Sequence, residues 1–273
     1  MHFIRVVLSA AKYNFISFYR VFRISSFALR FFMPLLSIGT AWVLYNRIFH
    51  GQVHSEFGMF SNTDYLTFVI IGNAVFAYIY ACVFFTGRVL YFCRLEGVID
   101  PLLLTPMSRL AFMIGSALMG MLNATFDFIL LIALGVVLAI DLSSLNFSVF
   151  FSGILITLVP LFGLGLVVNG ITLSLRDRVN TANFLQMILY TFSGIVVPVE
   201  MMPEWAQMIS KISPLTYGLR IIRGSLRPGI ALSNFSKEIL ILLIMGVMLF
   251  SVGAYFLGII ESNLKKYAKL TVF

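Results

Sequence analysis

Very few side chains here could do covalent or acid–base chemistry, and they lie far apart. His50 and His54 are four residues apart with Glu56 close by. On a helix that spacing places both imidazoles on one face, as a metal site would need; in the polar stretch 50–64 they read as loop residues. Asp127 is the only carboxylate deep in an apolar run, with Asn123 one helical turn before it, and Asn73 and Asn169 are the other polar residues at such depth. Charges inside a membrane mark ion or proton pathways, but an aspartate here reads first as a structural hydrogen bond between helices, or as facing a polar cavity. Glu200, Glu204 and Arg223 form the one polar set that a lipid-modifying enzyme could use. Cys82 and Cys93 give no disulfide framework and read as packing residues. No GxxxxGK[ST], HExxH, GxSxG or CxxC pattern occurs. The sequence therefore assigns no catalytic residue, no metal ligand and no nucleotide-binding phosphate loop. A stand-alone ion-coupled carrier or channel is the alternative reading, but it would need more buried charge, so the energy source is expected to lie outside the chain.

The elements that carry these residues are long apolar helices. Of 273 residues, 60% are hydrophobic and 11% charged, whereas a soluble domain carries about 25% charged residues. Runs long enough to cross a bilayer, roughly 20 apolar residues, fall at 28–49, 65–87, 110–140, 147–174, 181–198 and 237–260. This predicts an all-α membrane protein with six spans in a single domain, 1–273. Residues 1–27 place Arg5, Lys12, Arg20 and Arg23 among apolar residues, the pattern of an interfacial amphipathic helix or of a basic tail. Residues 261–273 form a second basic tail. With both ends in the cytoplasm, 13 of the 19 lysines and arginines fall on inner segments. The net charge of +8 is thus explained by anionic lipid and topology, and no nucleic-acid partner is expected. No cleavable leader pattern is seen in residues 1–27.

Two segments are neither spans nor simple loops. Residues 94–109 are too polar to cross and too apolar for a free linker; Glu96, Asp100, Leu102, Leu103 and Leu104 suit a short surface helix that a soluble partner could grip, or an ordinary interfacial turn. Residues 199–236 carry Pro203, Pro214 and Pro228 after Pro198, which disfavours one continuous helix. A pair of short folded-back helices would shield that broken backbone, with Trp205 and Tyr217 at headgroup level.

At this point the sequence resembles the permease subunits of type-2 ABC exporters, the family of drug, lipid-linked glycan and antibiotic export permeases. The resemblance rests on Glu96-Gly97-x-x-Asp100-x-Leu102-Leu103-x-Thr105-Pro106-x-Ser108-Arg109. It rests also on Pro203-Glu204-Trp205, Pro214-Leu215-Thr216-Tyr217, Arg220 and Arg223. It implies a plasma-membrane exporter subunit of bacterial or archaeal type. Arg94, Glu96, Gly97, Asp100, Leu103, Thr105, Pro106 and Arg109 would form the coupling helix. Pro198, Pro203, Trp205, Pro214 and Tyr217 would shape a re-entrant outer gate. It implies two separate ATPase subunits, which would bind the ATP and Mg, and a second permease copy or paralogue. Substrate, an amphiphile, drug or glycan, would pass between permeases along the second and fifth spans. Phe76, Tyr80, Phe84, Leu185, Leu189 and Phe192 are candidates there, and each equally suits helix packing.

Overall fold

The computed structural model describes residues 2–21, 65–98, 108–137, 145–175, 180–227 and 229–267, with Leu102, Thr105 and scattered positions between 32 and 47. Most of the expected first span, His50, His54 and Glu56, the 176–178 loop, and Asp100, Leu103 and Pro106 lie outside the described residues. The described chain is helical throughout: α1 (His2–Val21), α2 (Tyr65–Leu95), α3 (Arg109–Val137), α4 (Phe147–Leu175), α5 (Asn180–Phe192), a 3-10 turn (Val199–Met201), α6 (Glu204–Ile212), α7 (Pro214–Gly224), a second 3-10 turn (Leu232–Phe235) and α8 (Ser236–Tyr267).

Four helices are long and apolar enough to cross a membrane: Tyr65–Leu95, Arg109–Val137, Phe147–Thr172 and Leu232–Ile259. The protein is thus a multi-pass helical membrane protein. Its helices sort by depth in the bundle. In α2, 61% of the apolar window is buried by protein, against 17% in α8. Leu243, Ile244, Val247, Met248 and Tyr255 of α8 remain exposed; water would penalise such a face, whereas lipid solvates it.

Three differences from the sequence expectation have physical reasons. The second span was expected to stop at Gly87, but α2 continues to Leu95, about 46 Å in all. Arg88 does not end it because its guanidinium is buried against the rings of Phe84 and Phe92, 4.4 and 5.0 Å away, while Val89, Leu90 and Cys93 pack on Ala10, Phe112 and Met113. The fifth span was expected to reach Pro198, but α5 ends at Phe192 after 13 residues, about 20 Å and short of a bilayer core. Gly194, at φ +84°, turns the chain there, a conformation that favours glycine. The last helix runs from Ser236 to Tyr267, beyond the expected 237–260.

Helix starts follow local chemistry. The Asn146 side-chain oxygen accepts from the amides of Ser148 and Val149 at 3.1 and 3.4 Å, capping α4. Ser108 Oγ accepts from the Ala111 amide at the start of α3. Pro214 opens α7 at its first turn.

α2 packs on α3 and α4, α4 on α8 and α7, and α1 on α3. Where α4 meets α8, a Cβ on Gly253 would lie 2.6 Å from Leu166 Cβ, so the small residue sets the close approach. A central core joins Ile71, Val75 and Val83 of α2 to Phe150 and Leu161 of α4, Leu189 of α5 and Leu215, Leu219 and Ile222 of α7. Separate clusters close the two ends, around Cys93 and Met113 at one and around Val149, Ile221 and Phe235 at the other.

Candidate functional site

A groove of about 440 Å³ lies between α1, α2 and α3. Its wall along α2 and the residue that follows it runs from Ala77 to Glu96, nineteen helical steps or about 28 Å. A volume of that size spread over that length makes it long and narrow. Tyr80, Phe84, Phe85 and Phe92 supply its aromatic wall, and Ser116, Asn123 and Asp127 of α3 add polar groups. Tyr80 and Phe84 stack at 5.2 Å between ring centres. Asp127 thus faces a cavity with polar character and not only a neighbouring helix. The arrangement suits a slender, mostly apolar molecule with a polar part.

At one end of the groove α2 terminates in a glycine cap. The Gly97 amide donates to Arg94 O at 3.2 Å, and the Val98 amide to Cys93 O at 2.9 Å. Gly97 sits at φ +70°, so two otherwise orphaned carbonyls are satisfied by a left-handed residue. Val98 packs on the cluster containing Cys93, completing the apolar contact usual to such a cap. Glu96 is therefore the exposed end of α2. Beyond it the Leu102 amide donates to Val98 O at 3.2 Å, and Thr105 Oγ1 donates to Leu102 O at 2.8 Å. Tyr13 of α1 donates its hydroxyl to Glu96 Oε2, tying the amphipathic helix to this turn. Burial, followed by that hydrogen bond, pushes the Tyr13 hydroxyl above its ordinary value of 10. α1 itself buries Ala10 against α3 and leaves Phe3, Ile4, Leu8, Phe15 and Ile16 exposed.

At the opposite end the chain breaks after α5 and returns through α6 and α7. The bonds left open by the break are made by side chains. Ser210 Oγ donates to Phe192 O, and the hydroxyls of Ser193 and Ser213 share a bond of 2.6 Å. Arg223, 3% exposed, donates Nη1 to Gly194 O at 2.6 Å and Nη2 to Ile195 O at 2.7 Å and Phe68 O at 3.0 Å. Its guanidinium also lies 3.3 Å from the centre of the Phe68 ring. Arg220, one turn earlier, pairs with Glu200 at 3.2 Å on the surface. Trp205 meets Phe192 edge-on at 5.7 Å yet is 60% exposed, as a residue at headgroup level would be. Tyr217 donates to Lys211 O at 3.0 Å.

The residues singled out in the sequence therefore fall in three places. Arg94, Glu96, Gly97, Thr105 and Arg109 flank the turn at the end of α2. Pro198, Pro203, Trp205, Pro214 and Tyr217 lie along the broken segment. Of the path residues, Tyr80 and Phe84 line the groove. Phe76 packs on the Tyr190 ring at 5.0 Å, Leu189 is buried in the central core with Leu185 against it, and Phe192 meets Trp205. The groove's α1 wall, Tyr13 and Asn14, was missed by sequence reasoning. Only the alternation of basic and apolar residues in 1–27 hinted at it. Glu200 and Arg223 line one small pocket with Arg220, and Glu204 is not among its lining residues; there Glu200 pairs with Arg220 and Arg223 donates to main-chain carbonyls.

Comparison with known proteins now bears on this architecture. Over 124 residues the chain is 27% identical to the "Probable multidrug ABC transporter permease YbhR" of Escherichia coli K12, and equally to the protein of that name in Escherichia coli O157:H7. Those matches cover 45% of this chain and 34% of each relative, so only about a third of the relatives' length is represented. The description of the ABC-2 type transporter family fits residues 6–226, from α1 through α7, and so takes in the groove, the end of α2 and the broken segment alike. The chain belongs to the ABC-2 type transporter family.

Proposed function

We propose that this chain is the membrane subunit of an ATP-driven exporter, that it works as a pair of permeases, and that it couples to separate ATPase subunits through the turn that follows α2. The observation that carries the reading is the family match across residues 6–226, which includes that turn. In this reading both termini and the Glu96 end of α2 face the cytoplasm, as the distribution of lysine and arginine favours. The six-span layout of the sequence reading is retained, with the first span in residues 28–49 and α5 with its broken continuation acting as the fifth. The ATP and Mg belong to the partner ATPases. Their closure pushes on residues 94–109, and the Tyr13–Glu96 bond passes the movement to α1 as well as to α2.

The substrate is an amphiphile. Support comes from the groove: aromatic along its length, carboxylates at Glu96 and Asp127, and long and narrow in shape. Tyr80 and Phe84 would contact cargo on its way to the interface between the two permeases, and the folded-back α6–α7 segment would close the outer mouth.

The test is tandem purification of the chain with an ABC ATPase subunit co-expressed from the same organism, in the wild type and with Glu96→Lys. The expected result is a stable complex whose ATP hydrolysis is stimulated by lipid-embedded permease, and its loss on charge reversal with the permease still folded. Transport by the purified chain alone, driven by an ion gradient, would overturn the proposal in favour of a secondary carrier.

A further inference from the structure

Arg223 is the most deeply buried cation among the described residues, and the export reading gives it no task. A guanidinium in an apolar interior is costly unless its donors are met. Here the Nη1 and Nη2 donors are met by the main chain, while Nε has no hydrogen-bond partner among the described residues. Two of the three carbonyls, Gly194 and Ile195, lie in the break after α5, and the third, Phe68, lies in the first turn of α2. The Phe68 side chain supplies the ring beneath the guanidinium. A guanidinium forks to several acceptors in fixed geometry, which an ammonium cannot do. The surroundings are shaped for it: a Cβ on Gly72 would run into Arg223 Nη2 and would stand 2.8 Å from Ile195 O. Glycine at 72 therefore leaves the space through which α2 and the break approach each other.

We propose that Arg223 is a positioning residue that clamps the break after α5 to the outer end of α2, so that residues 193–202 and the start of α2 move as one body. An arginine on α7 thereby welds three elements that are distant in sequence. If that body seals the outer mouth, as the export reading requires, loosening the clamp opens a leak without any ATPase present. The clamp itself does not rest on that reading; only the leak does.

The test uses the full chain in lipid vesicles and compares wild type with Arg223→Ala, Arg223→Lys and Gly72→Ala. Hydrogen exchange is read at Ser193, Met201 and Met202, whose amides donate to Leu189 O, Pro198 O and Val199 O. Their exchange is expected to rise at least about tenfold in Arg223→Ala and Gly72→Ala and less in Arg223→Lys, while α8 amides stay at the wild-type rate. The double variant Gly72→Ala/Arg223→Ala is expected to exceed Arg223→Ala by little, because both changes break one contact. Entrapped carboxyfluorescein should escape faster from vesicles carrying Arg223→Ala. Unchanged exchange at the three amides refutes the clamp. A uniform rise through α2, α4 and α8 refutes it too, since Arg223 would then be a general core residue. Local exchange without dye leakage keeps the clamp and overturns the outer-mouth assignment. Should Arg223→Ala fail to fold, Gly72→Ala, which keeps the arginine, decides the matter.

Discussion

The turn that ends α2 can be loosened without touching a single side-chain contact, and this makes Gly97 the sharpest probe of coupling. Gly97 holds φ +70° and its missing Cβ would meet nothing within 4 Å. Adding a methyl group there causes no clash, and the whole effect is on the backbone. An L-residue in the left-handed region costs about 1–2 kcal/mol, a factor of about 5–30 in an equilibrium constant. If the ATPase grips the turn in its capped form, Gly97→Ala weakens its association by up to that factor. Asparagine, which tolerates the left-handed region, should lose less than alanine, and valine, branched at Cβ, should lose most. The order Gly, Asn, Ala, Val thus follows backbone preference and not size. Association is measured by titrating the partner ATPase onto immobilised permease in detergent, with the exchange rate of the Val98 amide, which donates to Cys93 O, reporting the turn directly. Equal affinities across the series, with Val98 exchange rising in the predicted order, would refute the claim that the partner reads this turn.

Tyr13→Phe removes the bond to Glu96. Because the Tyr13 hydroxyl is raised above 10 in the folded protein, its contribution is fully present below pH 10 and is lost as pH climbs through the higher folded value. A fluorophore at Ser9 should report release of α1 with rising alkalinity in the wild type, and that pH dependence should be absent in Tyr13→Phe. Asn169→Leu deletes the 2.6 Å bond to Thr86 O that joins α4 to α2; the expected loss is about 1 kcal/mol, read by denaturant unfolding in detergent. Arg220→Gln breaks an ion pair whose side chains are 34% and 49% exposed and should change stability by less than about 1 kcal/mol in the same assay, in contrast with Arg223 one turn away.

Composition and run length alone determined that this is a helical membrane protein, because a chain 60% hydrophobic has no other way to solvate its surface. The spans at α3 and α4 were legible within three residues, since uninterrupted apolar runs leave the backbone only helix in lipid. The prolines at 198, 203 and 214 marked the broken segment, because proline removes a donor wherever it stands. What the sequence left open was decided by partners distant in the chain. Arg88 reads as the end of a span until Val89, Leu90 and Cys93 are seen to pack on Ala10 of α1 and on Phe112 and Met113 of α3. Leu189 and Tyr80 look alike as apolar span residues, yet one is buried in the core and the other lines the groove, and only the rotation of each helix against its neighbours separates them. Arg223 reads as one more outer charge, and its task exists only once folding brings the carbonyls of residues 68, 194 and 195 around one guanidinium. Local chemistry writes helices and their ends into the sequence, whereas contacts between residues on different elements leave no local trace.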